Sequence, residues 1–161
     1  MIRSATTHDV QRIVTLLREK AELFKKRGSR QWSAYLETDL EALVQRDLNA
    51  GRLFVYEQGP DLLGSIALLP SLEWDQTLWS DREGLYIHRI VVSESAKGLG
   101  IGTRLLQHVI AVAQAEQEAL RLDCVASNDF LNTYYTSFGF VPRGVRDGFA
   151  TYEHVGMPVP K

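Results

Sequence analysis

The most constraining stretch of this 161-residue chain is Lys97-Gly98-Leu99-Gly100-Ile101-Gly102, three glycines at alternate positions between a β-favouring run and a helical stripe. Leu85 to Val92 reads as the strand, and Leu105, Leu106, Val109, Ile110 and Ala113 recur at helical spacing after the loop. With no Cβ in the way, the backbone of such a turn can approach a ligand closely and its amides can converge on it. Those N–H groups, with the positive end of a helix starting near Gly102, make an anion site suited to a diphosphate, and Lys97 adds a cation at its mouth. Taken alone, the loop is explained equally well as a tight strand-to-helix turn that needs glycine for geometry. A dinucleotide loop wants its third glycine at position 103, which is Thr103, and a triphosphate loop wants Lys then Ser or Thr where Thr103-Arg104 stand. Both fit poorly.

The rest of the chain reads as one domain, residues 1–161, of alternating strands and helices, without repeats or linker-like tracts. Ile2 to Ala5 is a short strand. Thr6 with Asp9 starts a first helix, whose stripe of Val10, Ile13, Val14, Leu17, Ala21 and Phe24 runs to Gly28. Thr38 with Glu41 starts a second, ending at Gly51. Leu53 to Glu57 and Leu62 to Leu69 flank Gln58-Gly59-Pro60-Asp61 as an antiparallel hairpin, and a connection runs from Pro70 to Gly84. Leu120 to Val125 is a strand, Asp129 to Phe138 a short helix, and strands follow near 139–145 and 149–155, leaving 156–161 as a mobile end.

At this point the chain resembles the GNAT family of N-acetyltransferases, whose pyrophosphate loop has the form Arg/Gln-x-x-Gly-x-Gly/Ala after a strand ending in Leu/Ile-x-Val. Ile90-Val91-Val92 and the loop from Lys97 fit, with Lys97 departing from the usual Arg or Gln: a donor is kept, but the planar fork is lost. A second family signature is an Asn followed seven residues later by Tyr-x-x-x-Gly-Phe, matched by Asn128 and Tyr135-Thr136-Ser137-Phe138-Gly139-Phe140. The resemblance covers nearly the whole chain. It implies an α/β (α+β) GNAT fold, a single mixed, mostly antiparallel twisted sheet with splayed central strands and about four flanking helices. It also implies acetyl-CoA as co-substrate, with the pantetheine arm between the strand of Ile90 and Val92 and that of Leu122 and Cys124. Carried over as CoA-binding are main-chain groups of Ile90 and Val92, the loop Lys97, Gly98, Leu99, Gly100, Ile101, Gly102 with Thr103, and Asn128 and Tyr135. An Asn just before a helix is also a common N-cap.

Acyl transfer needs a neutral amine, a polarised carbonyl and a route for discharging the thiolate. Tyr135 matches the family position that protonates the sulfur. Phe130, Tyr134 and Phe138, at i, i+4, i+8, are expected in the core, with Tyr135 on an adjacent face. For the base, strand alternation puts Tyr86 and His88 on one face with Ile90 and Val92, and histidine is the residue type suited to moving a proton at neutral pH; the plain alternative is a strand histidine satisfied by a neighbouring group. Trp32, Tyr35, Trp74 and Trp79 are candidates for an acceptor wall, and Glu73, Asp75, Asp81 and Glu83 for attracting a cationic amine. The expected acceptor is a small-molecule or amino-acid-like amine, with a protein N-terminus or lysine, or a non-catalytic acyl-CoA-binding role, as alternatives. The balance of 18 Lys and Arg against 20 Asp and Glu gives no broad pull on nucleic acid or membrane. A single cysteine, Cys124, suits a cytoplasmic setting, no metal site is expected, and a homodimer is compatible with the sequence.

Overall fold

Among the described residues the apolar runs segregate into seven strands and five helices. The computed structural model describes residues 1–29 and 32–154, so Arg30, Gln31 and the end expected to be mobile lie outside the described residues. Strands β1 (Ile2–Ser4), β2 (Arg52–Gln58), β3 (Asp61–Leu69), β4 (Leu85–Val92), β5 (Leu120–Val125), β6 (Val141–Arg146) and β7 (Phe149–His154) form one mixed sheet ordered β1-β2-β3-β4-β5-β7-β6. Pairs β1–β2, β2–β3, β5–β7 and β6–β7 are antiparallel. The β4–β5 pair is parallel and joins only Leu85 to Leu120 and Tyr86 to Arg121, although both strands continue, as splayed central strands require. The described helices are α1 (Val10–Lys26), α2 (Leu40–Ala50), α3 (Glu73–Leu78), α4 (Ile101–Ala115) and α5 (Asp129–Ser137). Five stand where about four were expected, the addition being α3, which lies in the Pro70-to-Gly84 connection and is too short to show a stripe.

The chain divides into two compact units, Met1–Leu68 with Arg89–His108, and Leu69–His88 with Val109–Lys161. In the first, Ile13, Val14, Leu17 and Ala21 of α1 and Leu40 and Val44 of α2 are buried, as are Val55 and Ile66 of the hairpin. Each such aliphatic side chain contributes about 1.5–3 kcal/mol. The Thr6–Asp9 capping box is present, but α1 is entered through one 3₁₀ turn, Thr7–Asp9. Asp9 also takes Nη1 and Nη2 of Arg3 at 2.8 and 2.9 Å, which draws its carboxyl down to about 2. Helix α2 is capped by Asp39, whose Oδ1 accepts from the Ala42 N–H at 3.1 Å, rather than by Thr38 with Glu41. Gly64 shows why α4 can lie so close: a Cβ there would come within 3.0 Å of Leu105 Cδ1 and 3.1 Å of the Val91 carbonyl oxygen.

In the second unit β5 is central. Gly84, at φ +84, starts β4 beside Ala119, where a Cβ would meet the Ala119 carbonyl at 2.7 Å. Arg121 is almost fully buried because all its polar ends are used: Nε donates to Glu153 at 2.7 Å, and Nη1 donates to Asp81 at 2.7 Å and to the Tyr86 hydroxyl at 2.8 Å. Its guanidinium lies 4.2 Å from the Trp79 ring centroid.

Candidate active site

In the first unit the loop has the geometry that its glycines suggest. Gly98 and Gly100 take φ of +84 and +76, in the left-handed region where a Cβ is strained. A Cβ at either position would meet nothing within 4 Å, so the backbone faces open space and glycine is required by conformation alone. Helix α4 begins at Ile101, so the N–H groups of Ile101 and Gly102 lie in a first turn that has no preceding helical carbonyl to donate to. Lys97 is exposed; burial is the largest single influence on the Glu94 carboxyl and raises it, but Lys20, Lys97 and Arg27 together outweigh it and hold the carboxyl below its usual value. The residues therefore suit a diphosphate: a left-handed glycine backbone facing open space, a helix N-terminus and the cation of Lys97 beside it.

Strand β4 contains a break that the sequence pattern does not show. Arg89 has φ +51, a left-handed conformation for a long side chain in mid-strand. Strict alternation stops there, so the inference that His88 shares a face with Ile90 and Val92 does not carry across Arg89. The conformation is pinned by Asp47 of α2, buried at 2% exposure, which accepts from Arg89 Nη2 at 2.6 Å and also from Nε.

The second unit carries the titratable groups. His88 Nε2 lies 3.0 Å from both carboxylate oxygens of Asp75, which is itself buried at 1% exposure. Trp74, beside Asp75 on α3, donates its Nε1–H to Asp123 of β5 at 3.1 Å and packs edge-on against Phe149. Burial raises the Asp123 carboxyl, with Trp74 and His88 opposing and Asp75 reinforcing that rise. Burial also raises the Tyr135 phenol, and Cys124, Tyr134 and Asp123 add to it. Asp123 is thus the electrostatic neighbour common to His88 and Tyr135. The Cys124 thiol is pushed up to about 11, chiefly by burial.

Helix α5 reverses one expectation. Phe130 is 75% exposed and Tyr134 and Phe138 are half-buried, whereas Tyr135 is buried at 6% exposure. The three rings pack along the helix on one another, Phe130 on Tyr134 at 6.0 Å and Tyr134 on Phe138 at 5.0 Å, so their spacing satisfies itself outside the core. Tyr135 instead packs against Phe140 and Tyr152. Gly139, at φ +92, ends the helix: its N–H reaches Thr136 O, and the Phe140 N–H reaches Tyr135 O at 3.3 Å. That left-handed cap folds Phe140 back over Tyr135, which explains Tyr-x-x-x-Gly-Phe physically. Asn128 is the N-cap of α5, its Oδ1 accepting from the Leu131 N–H at 3.0 Å, a role that leaves its amide nitrogen out of the cap.

The aromatics expected at an acceptor wall are divided between the two units. Trp32 packs with Phe24 and Tyr35 in the first unit; in the second, Trp74 pairs with Phe149 and Trp79 with Tyr86. Asp75 and Asp81 are committed to His88 and Arg121. Three residues had no signal in the sequence: Asp123, Asp47 and Asn132, whose Nδ2 binds Asn128 O at 2.7 Å and whose Oδ1 accepts from Tyr152.

Comparison with known proteins places these features in one class. Residues 14–140 match the model of the acetyltransferase (GNAT) family. The chain is 36% identical over 141 residues, 84% of its length and 78% of the relative's, to an uncharacterized N-acetyltransferase, YesJ, of Bacillus subtilis (strain 168). Its fold superimposes with TM-score 0.81 on an acetyltransferase of the GNAT family from Listeria monocytogenes, at 28% identity over 96% of this chain and 94% of that one. A GNAT-family acetyltransferase from Streptococcus agalactiae shares the fold at TM-score 0.78 and 22% identity, covering 98% and 96% of the two chains. The chain belongs to the GNAT acetyltransferase family, which uses acetyl-CoA as co-substrate.

Proposed function

We propose that this chain is an acetyl-CoA-dependent N-acetyltransferase acting on a primary amine of a small-molecule or amino-acid-like acceptor by direct attack. The observation that carries the reading is the loop: two glycines at positive φ facing open space immediately before α4, with Lys97 at the edge. Gly98 to Thr103 would hold the diphosphate, main-chain groups of Ile90 and Val92 the pantetheine, and the Asn128 amide a further polar contact. The co-substrate supplies a thioester whose carbonyl carbon accepts the amine.

His88 takes a proton from the acceptor ammonium or from the attacking nitrogen, so that a lone pair is available for the new C–N bond. As the C–S bond breaks, Tyr135 gives its phenolic proton to the sulfur; burial raises its pKa, which keeps that proton in place at neutral pH. Because a thiol has a pKa near ~8.5, the acid supplies only a modest part of the rate. Thiol release from acetyl-CoA over a panel of small amines, amino acids and peptides tests this reading. Turnover of a small amine supports it, and turnover of peptides alone moves the acceptor to protein. No turnover, with CoA still raising the melting temperature, makes the chain a binding module.

A further inference from the structure

We propose that Asp75 is the positioning residue for His88: it holds the imidazole as the Nε2–H tautomer and so leaves Nδ1 as the nitrogen that takes the acceptor's proton. The inference rests on the reading of His88 as the base. Asp75 is buried at 1% exposure, and its Oδ2 accepts the Leu72 N–H at 2.9 Å while both oxygens stand 3.0 Å from His88 Nε2. A carboxylate only accepts hydrogen bonds, so the ring nitrogen facing it must carry the proton, and the neutral ring then has its lone pair on Nδ1.

The carboxylate itself is held. Leu72 heads α3, where its carbonyl accepts from the Gln76 N–H at 3.1 Å, and the Asp75 carbonyl accepts from the Trp79 N–H at 2.8 Å. One oxygen is therefore anchored by the start of a helix, and the pair together fixes the imidazole plane. The charged groups acting on the ring are Asp75 from α3 and Asp123 from β5, the latter through space, since its Oδ2 is engaged by Trp74. When His88 takes a proton, Asp75 faces the imidazolium at hydrogen-bond distance.

Asp75→Leu is the sharper probe, because it removes both oxygens at similar size. Asp75→Asn would leave an oxygen at the Oδ2 place, which serves both the Leu72 N–H and His88 Nε2, and so would keep the tautomer. In Asp75→Leu nothing accepts the Nε2–H, and the neutral ring is free to carry its proton on either nitrogen. Long-range ¹H–¹⁵N spectra of the full chain report the tautomer of each histidine without any acceptor, and His88→Gln assigns the His88 signal.

The expected result is the Nε2–H form alone in the wild-type protein and a mixture of the two neutral forms in Asp75→Leu. An Nδ1–H ring in the wild-type protein overturns the proposal whether or not any variant folds, and so does a tautomer that a folded Asp75→Leu leaves unchanged. In parallel, thiol release from acetyl-CoA with n-butylamine as the probe amine should fall roughly 10–10²-fold in kcat in both Asp75→Leu and His88→Gln, with KM for acetyl-CoA unchanged. A tautomer that switches while turnover stays the same keeps the Asp75–His88 pair and removes His88 as the base, so the two readings fail separately.

Discussion

The glycine loop of the first unit and the His88–Asp75–Asp123 group of the second solve their problems with different materials. The loop works through main-chain geometry: its informative atoms are N–H groups and its side chains are mostly absent, with Gly98 and Gly100 at positive φ. The second group works through side chains brought from α3, β4 and β5, each buried or half-buried and each shifted or held by the others. A backbone site should fail abruptly when its conformation is denied and should hardly respond to nearby charge. A side-chain site should respond to single atoms and leave donor affinity alone.

The largest effect should come from denying the loop its shape. Gly100→Val puts a β-branched residue at φ +76, which costs about 1–3 kcal/mol or forces the turn to change. Affinity for CoA, read by calorimetry, should fall by up to about 10²-fold. Next, His88→Gln should lower kcat by roughly 10–10²-fold at unchanged CoA affinity, flattening the acid limb of the pH–rate profile. An unaltered profile removes His88 from the chemistry. Tyr135→Phe should reduce kcat by several-fold to about 10-fold without changing CoA affinity, because the thiolate is a tolerable leaving group. Equal turnover in that variant would leave Tyr135 as packing for Phe140 and Tyr152. Lys97→Ala should weaken CoA binding only about 3–5-fold, an effect that fades as salt rises from 50 to 500 mM, since the residue is an exposed point charge.

The same contrast explains what could be read in advance. The loop and the Asn128-to-Phe140 segment were legible because each encodes a local backbone event: a left-handed turn at Gly98 and Gly100, an N-cap at Asn128, a C-cap at Gly139. The succession of strands and helices along the chain followed from periodicity and turn signals, and the mixed sheet from the resemblance, except α3, six residues long and without an apolar stripe. The side-chain group could not be read in the same way. His88 and Asp75 are 13 positions apart, Trp74 and Asp123 are 49 apart, and no spacing rule relates them. Arg89 misled for a related reason: its left-handed φ is imposed by Asp47, 42 positions away, so a run of ordinary strand residues conceals a break in alternation. The aromatic stripe of α5 misled because helical spacing says which rings share a face and not which face is buried; Tyr135, off the stripe, is the buried ring.

Titration of CoA into the wild-type protein, Gly100→Val and His88→Gln by isothermal calorimetry tests the central claim most directly. Saturable binding in the wild-type protein, retained in His88→Gln and lost or weakened by up to about 10²-fold in Gly100→Val, is the predicted result. Equal binding by Gly100→Val and the wild-type protein, with Gly100→Val folded, would contradict the assignment of the Lys97-to-Gly102 loop as the donor site.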